Sequence, residues 1–130
     1  MATVLIVEDD PINVRVFSKI LTKRGGLEVR HTEDVEEVIA IAQAGIIAVI
    51  LMDISLPNSI YRGRLLDGLK ITQMLKANPI SAKIPIILLT AHALLGDREN
   101  FLTVSGADEY ITKPVVDQQQ FVEKVLSFLP

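Results

Sequence analysis

The sequence predicts an α/β fold in which five helices cover both faces of one parallel sheet of five strands. Two features of the 130-residue chain support this prediction. Five short runs are almost continuously apolar, as expected for parallel strands that are buried on both faces. Segments with apolar residues at helical spacing lie between them, and this alternation of strands and helices builds parallel βα units.

Each predicted strand leads into a polar residue. The predicted strands span residues 4–7, 27–31, 46–52, 84–89 and 109–112. The third run is the most apolar of the five and stops at Asp53, and the fourth stops at Thr90. The stretch from residue 54 to residue 66 has no clear period and is predicted to be irregular.

Capping residues predict where the helices begin and end. Asp10 followed by Pro11 indicates the start of the first helix, because aspartate accepts from free amides and proline suits the first helical position. Asp67 marks the start of the third helix in the same way. The stop signals are Gly25 and Gly26, Gly45, Asn78 with Pro79, and Gly106.

The second and last helices have the clearest apolar faces, whereas the fourth, at about residues 97–104, has a weaker pattern. The second helix carries Val35, Val38, Ile39 and Ala42. The last helix carries Phe121, Val122, Val125, Leu126 and Leu129. We expect one domain spanning residues 1–130, because no repeat or linker interrupts the alternation.

Composition narrows the class of protein. Hydrophobic residues make up 49% of the chain and charged residues 22%, which is typical of a soluble globular domain. Cysteine is absent, which excludes disulfides and thiolate metal sites. The net charge of −3 argues against direct DNA binding. The sequence begins with no signal peptide and has no membrane-spanning run, so a cytoplasmic location is expected.

The polar residues at the strand ends predict the functional site, because ligands bind at the carboxyl ends of strands in open parallel sheets. These residues are Glu8, Asp9 and Asp10, Asp53, Thr90 and Lys113. Clustered carboxylates repel one another unless a cation lies between them, and Mg²⁺ prefers such oxygen ligands. A carboxylate can also act as a nucleophile toward phosphorus, with a lysine to pair with the phosphoryl group.

Five motifs in this order and spacing resemble the receiver domains of two-component response regulators. They are VLIVEDDP at 4–11, LMDISLP at 51–57, DG at 67–68, LLTA at 88–91 and YITKP at 110–114. The resemblance covers nearly the whole chain. It implies a flavodoxin-like sheet with strand order 2-1-3-4-5, which places the third strand next to the first and Asp53 beside Asp9.

The resemblance also assigns roles to the strand-end acids. Asp53 resembles the phosphate acceptor of the family. Asp9 resembles the direct Mg²⁺ ligand, and Glu8 would hold the metal through water. The backbone carbonyl of Ser55 would complete the protein ligands together with Asp53.

Three further residues resemble the switch machinery of the family. Thr90 would hydrogen-bond a phosphoryl oxygen and draw its loop inward, and Lys113 would pair with the phosphate. Tyr110 resembles the aromatic switch, although an amphipathic ring at a sheet edge explains its presence equally well. The peptide bond between Lys113 and Pro114 would be cis.

These resemblances imply a stand-alone response regulator. It would accept a phosphoryl group from a sensor histidine kinase or a phosphotransfer protein, lose it slowly to water, and control a downstream protein partner by a shift between two surface states. It would catalyse its own phosphotransfer and dephosphorylation without being an enzyme that turns over a substrate. No direct DNA binding and no membrane association are expected.

Three alternative classes of protein fit the sequence less well. A phosphatase of the haloacid dehalogenase type needs an Asp-x-Asp pair and a cap, and the EDD motif at 8–10 does not fit. An FMN-binding flavodoxin needs a hydroxyl-rich phosphate loop where this chain has acids. A pure docking domain would not need the complete set of acids, threonine and lysine.

Other features depart from the family pattern or have no assigned role. Nine residues separate Pro57 from Asp67, where the family has about two, and this segment carries Arg62 and Arg64. It is either a lid or docking surface, or a lengthened loop without function. His92 is expected to be a solvated loop residue. The histidine that ends the second predicted strand, His31, is expected to lie away from the acids.

Overall fold

The computed structural model describes residues 2–56, 59–91 and 97–129. The sequence predictions for Pro57 and His92 lie outside these residues. The strands are β1 Thr3–Val7, β2 Glu28–Thr32, β3 Val49–Asp53, β4 Ile60–Tyr61, β5 Arg64–Leu65, β6 Ile86–Thr90 and β7 Glu109–Thr112. The helices are α1 Pro11–Gly25, α2 Val35–Gln43, α3 Gly68–Ala77, α4 Asp97–Ser105 and α5 Gln118–Leu126.

The main sheet is parallel throughout, with the strand order β2-β1-β3-β6-β7. Counted within this sheet alone, the order is 2-1-3-4-5, so the predicted fold class is confirmed. Five helices accompany the five strands in the described part of the chain. No helix in that part is long and apolar enough to cross a bilayer.

The core consists of two apolar layers, one on each face of the sheet. Alternate residues of β1 enter different layers, as the pleat of a strand requires: Leu5 joins one cluster and Val4 the other. Helices α2 and α3 cover the first layer, whereas α1 and α5 cover the second. All five residues of β3 are buried, which explains why its sequence is apolar without alternation.

Aspartate caps begin four of the helices. The carboxylates of Asp10 and Asp67 accept from backbone amides of the first helical turn at 2.9 Å, which confirms the two predicted caps. Asp34 caps α2 and Asp117 caps α5 in the same way. The predicted stop after α1 is also present, because Gly26 adopts a left-handed conformation with φ of 65°.

The segment predicted to be irregular contains a small antiparallel hairpin, so that prediction was wrong in part. Ile60 pairs with Leu65 and Tyr61 pairs with Arg64. Arg62 and Gly63 form a two-residue turn in which both φ angles are positive, as hairpin turns of this length require. An Arg-Gly pair is a weak turn signal compared with Asn-Gly, and the strands are only two residues long. The hairpin is therefore hard to see in the sequence.

Candidate functional site

The topology brings the ends of β1, β3 and β7 to one point at the carboxyl edge of the sheet. Lys113 follows β7, and its Nζ lies 3.1 Å from Oε1 of Glu8 and 3.1 Å from Oδ1 of Asp53. The Glu8 side chain is fully buried, that of Asp53 is 3% exposed and that of Lys113 is 15% exposed. One ammonium thus bridges two carboxyl groups with little access to water.

A third carboxyl group, that of Asp9, completes the acidic cluster. One oxygen from each of Glu8, Asp9 and Asp53 lies within 4.8 Å of the other two. Asp9 is only half-buried and therefore faces the solvent side of the cluster. Three ionised carboxylates beside one ammonium would leave two negative charges without local compensation.

Burial and the neighbouring charge raise the pKa of two of these three acids. Burial, followed by the neighbouring Glu8, raises the pKa of Asp53 to about 8, although Lys113 opposes the shift. Burial and Glu8 also raise the pKa of Asp9. Burial would raise the pKa of Glu8 as well, but hydrogen bonds to Asp53 and Lys113 outweigh burial and lower it. At neutral pH the metal-free pair of Glu8 and Asp53 therefore shares one proton.

This donor set fits a magnesium ion. Mg²⁺ binds through one or two carboxylates and keeps several waters, and the cluster offers the half-exposed Asp9 beside the buried Asp53. A divalent cation would also supply the positive charge that Lys113 alone does not, and would favour the ionised form of Asp53.

Gly68 packs against the end of β3, where Asp53 lies. Its N–H donates to the carbonyl of Ile54 at 2.8 Å, and a Cβ at this position would lie 2.0 Å from the backbone oxygen of Asp53. Only glycine allows α3 to start so close to the end of β3. The Asp-Gly motif therefore has two roles, since Asp67 caps the helix and Gly68 lets its first turn pack on the acidic strand end.

Thr90 and Tyr110 lie on the two strands beyond Asp53. Thr90 is buried at the end of β6, and its carbonyl accepts from the backbone N–H of Lys113 at 2.7 Å, which joins the ends of β6 and β7. The ring of Tyr110 is buried and stacks on Phe101 of α4, with centroids 6.0 Å apart. The predicted cis peptide between Lys113 and Pro114 is present.

Ser55 follows the end of β3, two residues after Asp53. Its backbone N–H donates to Oδ1 of Asp53 at 3.3 Å, which ties the loop to the acid. The role of its carbonyl as a metal ligand remains a prediction.

The expectation for His31 was wrong. Its Nε2 lies 2.7 Å from the backbone carbonyl oxygen of Glu8, so the side chain contacts the acidic segment instead of lying away from it. The sequence could not show this contact, because it depends on the register between β1 and β2. That register places His31 opposite Ile6, two residues before Glu8.

The two arginines of the hairpin do not contact the acids in the described structure. The Arg62 guanidinium lies over the ring of Tyr61, 5.1 Å from its centroid. Among the described residues, neither Arg62 nor Arg64 forms an ion pair within 4.0 Å. The hairpin is anchored elsewhere, through the hydroxyl of Ser59, which donates to the carbonyl of Glu33 at 2.7 Å.

Comparison with known families identifies the class of this chain. The model of the response regulator receiver domain matches residues 4–126. The chain therefore belongs to the receiver domain family of two-component signal transduction. This assignment sets aside the phosphatase and flavodoxin alternatives.

Individual relatives agree with the assignment. The polar-differentiation response regulator DivK of Brucella anthropi is 33% identical over 127 residues, which are 98% of this chain and 95% of that protein. The receiver domain of sensor histidine kinase PA1611 from Pseudomonas aeruginosa has a TM-score of 0.79 at 32% identity, covering 98% of this chain and 96% of that domain. That crystal structure has a magnesium ion coordinated in its active site cleft.

A chemotaxis protein shares the fold at lower identity. CheY4 of Vibrio cholerae has a TM-score of 0.80 at 23% identity, and the match covers 99% of each chain. This similarity supports the sheet order and the helix placement alone.

Proposed function

We propose that this receiver domain accepts a phosphoryl group on Asp53 in a reaction that depends on Mg²⁺. The observation that carries the proposal is the bridge from Lys113 to both Glu8 and Asp53, with an oxygen of Asp9 within 4.8 Å of both acids. Asp9 and Asp53 would bind the metal directly, Glu8 would act through water, and the carbonyl of Ser55 would add a ligand.

The donor would be the phosphohistidine of a sensor kinase or of a phosphotransfer protein. A carboxylate oxygen of Asp53 attacks phosphorus, a P–O bond forms, the P–N bond to the donor imidazole breaks, and that imidazole leaves with a proton from solvent. Magnesium, when bound, would neutralise the charge on the transferring oxygens. The raised pKa of Asp53 means that its proton must leave before it can act as the nucleophile.

The remaining site residues would convert phosphorylation into a change of surface. Lys113, which already contacts Oδ1 of Asp53, would pair with the new phosphoryl oxygens. Thr90 would donate its hydroxyl to another oxygen, and Tyr110 would respond because β6 and β7 are joined at Thr90 and Lys113. A downstream protein would bind the conformation whose population rises on phosphorylation.

Further aspects of the function rest on the relatives. A match over 95% of DivK supports a stand-alone regulator. A cytoplasmic location is part of the proposal. The same receiver could catalyse its own phosphorylation from a small donor and its own slow dephosphorylation.

Incubation with acetyl phosphate and Mg²⁺, followed by intact mass measurement, tests this proposal. Wild type should gain one phosphoryl group, and Asp53→Asn should gain none, because an amide is a poor nucleophile. Asp10→Asn is the matched control, since Asp10 is an exposed neighbour of the acids and asparagine preserves its helix cap. Full phosphorylation of Asp53→Asn, or equal phosphorylation without Mg²⁺, would refute the proposal.

A further inference from the structure

The peptide unit between Glu8 and Asp9 is held by hydrogen bonds at both of its polar atoms. The carbonyl oxygen of Glu8 lies 2.7 Å from Nε2 of His31. The N–H of the same unit, which belongs to Asp9, donates to Oε2 of the Glu8 side chain at 3.1 Å. Because a carbonyl oxygen only accepts, Nε2 of His31 carries the hydrogen of this bond.

This contact extends the sheet beyond its last backbone pair. The ladder between β1 and β2 ends where Val7 lies opposite Thr32. Glu8 follows that pair, so its carbonyl is beyond the reach of the ladder. The imidazole of His31, an exposed residue of β2, donates to this carbonyl in place of a backbone N–H of a neighbouring strand.

The orientation of this peptide unit sets the position of a proposed metal ligand. The Asp9 side chain leaves the backbone immediately after it, so rotation of the unit would move the Asp9 carboxylate relative to Asp53. Mg²⁺ requires nearly ideal octahedral geometry and tolerates such displacement poorly. Partners that orient metal ligands typically affect metal affinity by about 10–100-fold.

We propose that His31 is a positioning residue for the magnesium site, acting through the carbonyl of Glu8. The inference rests on the proposed function, because it requires Asp9 to be a metal ligand. The effect on Mg²⁺ binding would come from one atom, Nε2. Substitutions of His31 that keep or lose a donor at that place can therefore test it. The amide nitrogen of glutamine can occupy the place of Nε2, whereas that of asparagine corresponds to Nδ1 and falls short.

Isothermal titration of the metal-free protein with MgCl₂ measures the effect directly. His31→Ala and His31→Asn should bind Mg²⁺ roughly tenfold more weakly, at the lower end of the range for such partners because the residue is exposed. His31→Gln should stay within about threefold of wild type, since it restores the donor. Arg30→Ala, at the exposed neighbouring position on β2, should leave the affinity unchanged.

Two other measurements separate positioning from a general effect on the fold. Thermal unfolding in EDTA should give similar midpoints for His31→Ala and Arg30→Ala. With acetyl phosphate as donor, the Mg²⁺ concentration for half-maximal rate should rise for His31→Ala, while the rate at saturating Mg²⁺ stays within about twofold, as expected for a loss of binding alone.

The inference is overturned if His31→Ala binds Mg²⁺ within twofold of wild type, or if His31→Gln loses as much affinity as His31→Ala. A loss of affinity matched by a fall in metal-free stability overturns it too, because His31 would then be structural. Asp9→Asn separates this result from the proposed function. If wild type binds Mg²⁺ no better than Asp9→Asn, the metal site itself is wrong and both proposals fail.

Discussion

Lys113 lies between two buried carboxyl groups, and its charge makes their burial tolerable. Removal of one partner from a buried ion pair typically costs about 3–5 kcal/mol, because the remaining charge is left without compensation. Here the acids can respond by protonation, as the raised pKa of Asp53 already shows. The cost of losing the ammonium should therefore lie at the lower end of that range.

Lys113→Ala should accordingly lower the free energy of unfolding by about 3 kcal/mol in EDTA. Saturating Mg²⁺ should reduce this deficit, because the ion supplies positive charge to the same acids and binds only the native state. Urea unfolding with and without Mg²⁺ measures both effects. Lys124→Ala is the control, since the Lys124 side chain is 38% exposed and its contact with Glu109 is long, at 3.9 Å. A deficit below about 1 kcal/mol would show that the bridge is unimportant for stability.

The pKa of Asp53 gives the metal-free protein a predictable pH dependence. Its carboxyl group keeps a proton up to about pH 8 in the native state, but releases it near the ordinary value of 3.8 in the unfolded chain. The native state therefore binds more protons between these values, and the free energy of unfolding should fall as pH rises from about 4 to about 8.

Chemical unfolding in EDTA at several pH values tests this expectation. The Asp53→Asn variant should lack the contribution of up to about 1.4 kcal/mol per pH unit that one proton supplies. Glu8 has a lowered pKa and contributes in the opposite direction, because its stabilisation is lost as pH falls below the ordinary value of 4.5 and through the lowered pKa of the native state. Parallel stability profiles for wild type and Asp53→Asn above pH 5 would contradict the assignment of the shared proton.

At the scale of the element, the start of α3 and the end of β3 form one unit. The contact between Gly68 and the backbone of Asp53 leaves no space for a side chain. Gly68→Ala must push α3 away from the end of β3 or displace the end of β3 that carries Asp53. Either movement disturbs the acceptor.

We expect Gly68→Ala to cost about 1–3 kcal/mol of stability, as insertion into a packed region typically does, and to slow phosphorylation by acetyl phosphate. Gly25→Ala is the control at the end of α1. There a Cβ would meet side-chain atoms of Leu27 at 3.3 Å and of Val122 at 3.5 Å but no backbone atom among its nearest neighbours, and helical alanine is favourable. Denaturant unfolding and initial phosphorylation rates provide the comparison. Equal stability and equal rates for the two variants would show that the close approach is unimportant.

The β4–β5 hairpin, by contrast, is anchored away from the acids. Its inward side chain, Tyr61, packs against the core, whereas Ile60 and Leu65 are exposed. Simultaneous replacement of Arg62 and Arg64 by alanine should therefore leave the phosphoryl lifetime within about twofold of wild type. This corresponds to a change of under ~0.5 kcal/mol in the activation free energy of hydrolysis. The decay of the phosphorylated mass measures it. A lifetime shortened more than fivefold would show instead that the hairpin acts as a lid.

At the scale of the whole molecule, the sequence predicted the fold because the main-sheet strands are buried by helices on both faces. Apolar runs such as the one ending at Asp53 follow directly from that environment. The start of β3 was predicted at Ile46, but the strand begins at Val49. The prediction was too early because Ile46 is apolar but exposed. Exposure is a tertiary property and cannot be derived from residue type alone.

The candidate site was predictable in its membership but not in its charge state. Polar residues at the strand ends mark Glu8, Asp9, Asp53 and Lys113, since parallel topology brings these ends together. The shared proton depends on burial and on distances of a few ångströms, and the contact of His31 depends on strand register. Neither property is encoded in spacing along the chain.

The chemical location of the phosphoryl group tests the proposed role of Asp53 most directly. After reaction with acetyl phosphate and Mg²⁺, borohydride reduction converts an aspartyl phosphate to homoserine, which peptide mass spectrometry can assign to a position. Homoserine is expected at position 53 in samples with Mg²⁺ and at no position in samples with EDTA. Homoserine at Asp9 or Asp10 in place of Asp53, or equal labelling in EDTA, would contradict the proposed role.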